Sequence, residues 1–160
     1  VLSFTAEEIW RMLPESVRAD SKADSVHLAM FPEVDPRWAD PKLAERWEQL
    51  LEVRVAVQAA LEVQRREKVI GAPLEAKVLI DAHSAQYNLL KTYGQDLPAF
   101  FIVSDVVLQS APDLPEKPGF VITVEKATGV KCERCWNYRG SVGTSSDHPT
   151  LCDRCVEAVR

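Results

Sequence analysis

Four cysteines constrain this chain more than any other feature in it. Cys132 and Cys135 form one Cys-x2-Cys pair, Cys152 and Cys155 form a second, and 16 residues separate the two. Two residues between thiolates let one tight turn present both sulfurs about 2.3 Å from a common ion, and two such turns complete a tetrahedron. The connecting loop, residues 136–151, holds Gly140, Gly143, Pro149 and several Ser and Thr residues, with too little apolar side chain to bury itself. A metal would supply the folding free energy that the loop lacks. The spacing therefore predicts one structural zinc ion on Cys132, Cys135, Cys152 and Cys155. Four sulfurs leave no open position for water, so such an ion does not catalyse hydrolysis.

Other uses of four cysteines fit less well. Two disulfides suit a secreted chain, and no secretory signal is visible. A redox Cys-x-x-Cys needs a single pair, usually at a helix start after a strand. A rubredoxin-type iron site would show a Cys-Pro-x-Cys-Gly knuckle, which these residues lack. His148 is a rival ligand for one cysteine, a plain loop position being the simpler reading.

Around the cysteines stand Lys131, Arg134, Trp136, Tyr138, Arg139 and Arg154. Guanidinium groups meet phosphates or base edges and an indole stacks on an unpaired base, so the group suits single-stranded nucleic acid. The plainer alternative is that Trp136 covers the metal site and the arginines are solvated. Charge limits how far such contact could extend. Residues 1–126 carry 14 Lys and Arg against 20 Asp and Glu, whereas residues 127–160 carry 5 against 4. Contact with phosphate is expected to be local, because a net charge of -5 argues against a surface that wraps nucleic acid throughout.

Upstream, Thr5 and Glu8 have capping-box spacing and predict a short helix over 6–13, stopped by Pro14. Residues 15–40 read as a loop with an apolar patch at 26–31 laid over a core. Asp40-Pro41 starts a long amphipathic helix over 42–69, with Leu43, Trp47, Leu50, Leu51, Val57 and Leu61 along one face and Gly71 and Pro73 ending it. A strand over 74–80 turns Leu74, Ala76, Val78 and Ile80 to one side. Ser84 caps a helix through Tyr93, closed by Gly94. Buried strands follow at 99–108, an apolar run that Ser104-Asp105 interrupts, and at 120–125. One helix among three strands predicts a small α/β unit. No run reaches the roughly 18–20 apolar residues of a membrane span. The opening Val1-Leu2-Ser3-Phe4 is no signal peptide and reads like the middle of a longer protein.

These residues resemble the C-terminal end of bacterial-type isoleucyl-tRNA synthetases. The matching stretches are Phe4-Thr-Ala-Glu-Glu-Ile-Trp10, Ser25-Val-His-Leu28, Leu51-Glu-Val-Arg54, Glu67-Lys-Val-Ile-Gly71, Leu74-Glu-Ala-Lys77 and Lys131-Cys-Glu-Arg-Cys-Trp136, in family order. The resemblance implies an α+β multidomain fragment. Its parts would be helices of an anticodon-binding domain over 1–72, a small α/β connecting domain over 73–126 and a four-cysteine zinc finger over 127–160. It implies a parent enzyme, monomeric and cytoplasmic, that joins isoleucine to tRNA(Ile) with ATP. This part would hold the anticodon stem-loop, with Arg134 and Trp136 on the anticodon bases. ATP would belong to the parent alone, since neither class I signature motif, of His-Ile-Gly-His or Lys-Met-Ser-Lys-Ser type, is present here. Lacking the rest of its bundle, helix 42–69 should expose apolar surface. Two other readings compete: the similar zinc finger that ends formamidopyrimidine-type DNA glycosylases, and a zinc-ribbon protein adaptor.

Overall fold

In the computed structural model, which describes residues 2–18, 23–31 and 33–159, the chain divides into two units, Val1–Asp40 and Pro41–Arg160. The first begins with helix α1, Ser3–Met12, which starts earlier than expected. Thr5 therefore lies inside the helix, and the expected Thr5–Glu8 box is not formed; Leu2 is the N-cap and no side chain caps it. Glu7 takes the polar role instead. Its carboxylate accepts from the Ser25 hydroxyl at 2.7 Å and the Val26 amide at 3.2 Å, and it pairs with Arg11 at 3.2 Å. The Trp10 indole N–H donates to the Ala23 carbonyl at 3.3 Å.

The expected loop over 15–40 contains helix α2, Glu15–Arg18, and 3-10 turns at Val26–Leu28 and Pro36–Trp38, while residues 19–22 and 32 lie outside the described residues. The apolar patch expected to lie over a core is largely exposed. Leu28 and Met30 are exposed, and Phe31 is 96% exposed.

Helix α3, Pro41–Arg66, opens the second unit with proline in its first turn, where the missing amide costs no hydrogen bond. Its buried face is Leu50, Val53, Val57 and Leu61, spaced by three and four residues as a helix requires. Leu43, Trp47 and Leu51, expected on that face, stay partly exposed, as do Val55 and Val63. Trp47, 41% exposed, meets the Phe100 ring edge-on at 5.5 Å.

Strand β1, Ala76–Ala82, follows a 3-10 turn at Pro73–Glu75 and buries Ala76, Val78, Ile80 and Ala82 in alternation. Helix α4, Ser84–Thr92, has His83 as its N-cap, so Ser84 does not cap it. The strand expected over 99–108 is two elements, helix α5, Leu97–Phe101, and strand β2, Asp105–Ser110. Pro98 favours a helical first turn, and Ile102 at φ 60 closes the helix by donating its amide to the Ala99 carbonyl. An apolar run of this length fits a buried helix as well as a buried strand, which periodicity alone does not separate. Two helices, not one, thus stand among three strands.

Strand β3, Phe120–Lys126, completes a sheet of order β2-β1-β3, with Val78 opposite Val106 in the parallel pair and Val124 in the antiparallel pair. The parallel pair needs a crossover, which α4 and α5 supply. Helix α3 packs on β3 and α4 on β1 and β2, so Leu50, Val53, Val57 and Leu61 share one core with Val78, Ile80, Leu90, Leu97, Phe101 and Val103.

The end of the chain forms strands β4, Val130–Lys131, and β5, Tyr138–Arg139, which pair antiparallel, and helix α6, Asp153–Glu157. Gly129 sits at φ +97, where a Cβ would come within 2.5 Å of the Arg139 carbonyl carbon, so the close approach of this hairpin requires glycine. No helix among the described residues is long and apolar enough to cross a membrane.

Candidate metal centre and nucleic-acid interface

Each cysteine pair is built by a different local device. The first lies in the turn between β4 and β5, where the Cys132 amide donates to the Asn137 carbonyl at 2.9 Å and the Trp136 amide to the Cys132 carbonyl at 2.8 Å. The second lies at the start of α6, where Cys152 is the N-cap and its carbonyl accepts from the Val156 amide at 2.9 Å. The Glu133 amide joins the two by donating to the Thr150 carbonyl at 3.2 Å.

The four ligand sulfurs all lie within 4.8 Å of one another, and Cys135 Sγ is 3.7 Å from Cys152 Sγ. A tetrahedron with metal–sulfur bonds of about 2.3 Å has an edge of about 3.8 Å, so the arrangement fits one zinc ion. All four cysteines are free thiols, and the 3.7 Å separation is far beyond a disulfide bond of about 2.05 Å. His148 is outside this cluster. Cys132, Cys152 and Cys155 are buried and Cys135 is half-buried, with Val142 and Leu151 packed beside them.

Burial and amide donation pull these thiols in opposite directions. Burial pushes the Cys132 thiol up, yet backbone hydrogen bonds from Cys135, Cys152 and Arg134 bring it down to about 6; the Cys152 amide stands 3.4 Å from its sulfur. Burial likewise opposes ionisation of Cys135, but hydrogen bonds from the Asn137 side chain and amide leave it below the ordinary thiol range. Cys152 goes the other way, pushed up to about 12 by burial and by its neighbouring sulfurs, against the Cys155 amide. Four thiolates this close repel one another, and a divalent cation at their centre removes that repulsion.

Trp136 follows directly on the first pair and occupies a left-handed conformation, φ 64, while remaining 58% exposed. The Lys131 ammonium lies 5.4 Å from its ring centre. Arg134 is exposed and directs one nitrogen to Cys155 Sγ at 3.7 Å.

Sequence reasoning missed Ser104, the buried serine that joins this module to the sheet. Its hydroxyl donates to the Leu74 carbonyl and accepts from the Tyr138 amide at 2.7 Å. The only signal was a polar residue interrupting an apolar run.

Two family models match the chain. The anticodon-binding domain of tRNA ligase matches residues 1–80, and the zinc finger found in FPG and IleRS matches residues 129–158. Relatives align along essentially all of it. It is 45% identical to the isoleucine–tRNA ligase of Geobacter sulfurreducens over 100% of this chain and 17% of that protein. The corresponding ligase of Syntrophotalea carbinolica is 47% identical over 99% and 17%, and that of Moorella thermoacetica 42% over 100% and 18%. A tRNA-ligase anticodon-binding domain with such a zinc finger on the same chain places it in the aminoacyl-tRNA ligase class of sequences, and the match over 1–80 disfavours the glycosylase reading. The chain belongs to the isoleucine–tRNA ligase family. It spans 17–18% of the length of the three relatives named. The zinc-finger match and the four-cysteine cluster together support one structural zinc.

Proposed function

We propose that this chain is the tRNA-binding C-terminal part of an isoleucine–tRNA ligase. The parent enzyme, monomeric and cytoplasmic, joins isoleucine to tRNA(Ile) using ATP, and this part holds the anticodon stem-loop. Cys132, Cys135, Cys152 and Cys155 hold the zinc, which contributes fold and no reaction step. Residues 1–72, 73–126 and 127–160 are the inherited modules, although α3 of the first shares its core with the sheet of the second.

The observation that carries this reading is Trp136. A large side chain in a left-handed backbone, where glycine would be unstrained, persists only where surrounding structure holds it. Its indole remains largely exposed, so covering the metal does not account for it. An exposed ring on a stiff turn is a stacking platform for an unpaired base, and Arg134 beside it can meet a base edge or phosphate. The contribution to catalysis is orientation: a held anticodon sets where the acceptor end of the tRNA lies.

The test is aminoacylation by the parent enzyme carrying Trp136→Ala. Loss of one stacked base should lower kcat/KM for tRNA(Ile) by about fivefold or more. A value within twofold of the unmodified enzyme rejects the stacking role.

A further inference from the structure

A cleft of about 180 Å³ opens where the zinc module meets the end of α5. Gln95, Ala99 and Ile102 line one side, and Asn137, Arg139 and Arg154 the other. Its walls are held. Ser104 fixes β5 through the Tyr138 amide, and the Ile102 amide is bonded to the Ala99 carbonyl at 3.2 Å.

The lining residues include two arginines, Gln95 and Asn137, whose side chain already serves the Cys135 sulfur, and no Asp or Glu. Among the described residues neither Arg139 nor Arg154 has a carboxylate within salt-bridge distance. Asp153, whose charge Arg139 does feel, has its carboxylate bonded to the Ser141 hydroxyl at 2.8 Å. Two arginines lining one cleft that has no carboxylate suit phosphate oxygens. The volume is below the roughly 300–1,000 Å³ of pockets that enclose a drug-sized ligand, so a base or whole nucleotide is too large. A phosphate group fits.

The cleft also lies next to the stacking platform. Asn137 follows Trp136 in the chain, and Arg139 is three residues on, at most about 11 Å of extended backbone. We propose that this cleft binds a backbone phosphate of the RNA strand whose base stacks on Trp136, so that the α/β unit and the zinc module grip one strand jointly. The proposal rests on the tRNA-binding reading above and adds a second element to it. Ala99 and Gln95 belong to a region with no metal ligand, which gives that region a direct part in binding.

The test titrates the full zinc-loaded chain with an RNA stem-loop carrying the tRNA(Ile) anticodon, across a salt series. Arg154→Gln should weaken binding about tenfold and flatten the log Kd against log salt slope by about 0.7–0.9, the signature of one lost phosphate contact. Ala99→Glu places a carboxylate at an exposed helical position in the cleft, far in sequence from the zinc ligands. It should weaken binding to a similar degree with one zinc still bound per chain. Trp136→Ala should weaken binding and leave the slope unchanged. If Trp136→Ala weakens binding while Arg154→Gln and Ala99→Glu stay within twofold in both affinity and slope, the cleft is idle and only the stacking reading survives. If the unmodified chain does not bind the stem-loop, both fall. Should inorganic phosphate, but not the RNA, shift the Arg154 side-chain NMR signals, the cleft is a free-anion site and the proposal is overturned.

Discussion

Between Pro41 and Lys126 the interior is hydrocarbon: Leu50, Val53 and Val57 on α3 meet Val78 and Ile80 on β1, with Leu90, Leu97, Phe101 and Val103 closing around them. From Ala127 onward it is sulfur. Cys132, Cys152 and Cys155 are the most buried of the described side chains there, and Ala127, Val142, Leu151 and Val156 add a little apolar bulk. The two regions are stapled by Ser104, yet they are stable for different reasons. Each well-buried Leu, Val or Ile of the first contributes about 1.5–3 kcal/mol by leaving water. The second has too few such side chains to offset the ordering of its loops, at about 1–2 kcal/mol per residue. A metal-centred module therefore gives a small, rigid surface without a large core, and it leaves an indole such as Trp136 free to face outward.

The largest expected effect follows from that contrast. Chelating the metal removes about 10–16 kcal/mol of binding free energy from the module. Amide signals of residues 130–139 and 152–157 should then lose their NMR dispersion, while Val78 and Ile80 remain protected from exchange. Dispersion that persists in the stripped protein would show that sulfur packing alone holds the fold. Leu50→Ala probes the other side. Cutting this buried leucine should cost about 2–5 kcal/mol and lower the denaturant midpoint of the α/β unit. The zinc content should stay at one per chain. Loss of zinc together with the midpoint would mean that the two regions unfold as a single block.

What could be read from the residues divides along the same line. The metal site was legible because both ligand pairs are local, and a two-residue spacing means one thing geometrically whatever surrounds it. Helix α3 was legible from its proline start and long Gly-free run, and β1 from strict alternation. Which face of α3 is buried was less so, because Leu43, Trp47 and Leu51 form an apolar row beside the buried Leu50, Val53, Val57 and Leu61 and stay partly exposed. Helix α5 was missed because Ala99–Val103 is apolar at every position and carries no period. The Thr5–Glu8 box was wrongly expected because α1 begins at Ser3, and spacing alone does not say where a helix starts. The arginine cleft was illegible for a plainer reason. Its walls come from residues 95–103, 137–139 and 154, which only folding brings together.

The seam between the regions gives a smaller effect. Ser104→Ala leaves the part-buried Tyr138 amide without its acceptor, at up to about 1–3 kcal/mol. Hydrogen exchange at Tyr138 should quicken with the zinc still bound. Unchanged exchange there would mean that the module is held by something other than this hydroxyl.

The smallest effect tests the feature on which the functional reading turns. Trp136→Gly and Trp136→Ala both remove the indole and its contact with Lys131, so both should bind RNA equally weakly. Their stabilities should differ. Alanine at φ 64 keeps a left-handed penalty of about 1–2 kcal/mol, whereas glycine adopts that conformation freely. Glycine gives back about 0.4–1 kcal/mol through the greater freedom of its unfolded chain. The glycine variant should therefore hold zinc against a competing chelator more firmly than the alanine variant, by about 0.5–1 kcal/mol, or roughly two- to fivefold in apparent affinity. Equal zinc retention would mean that position 136 is not left-handed. In that case no backbone strain is maintained there to project the ring, even if the ring itself still touches RNA.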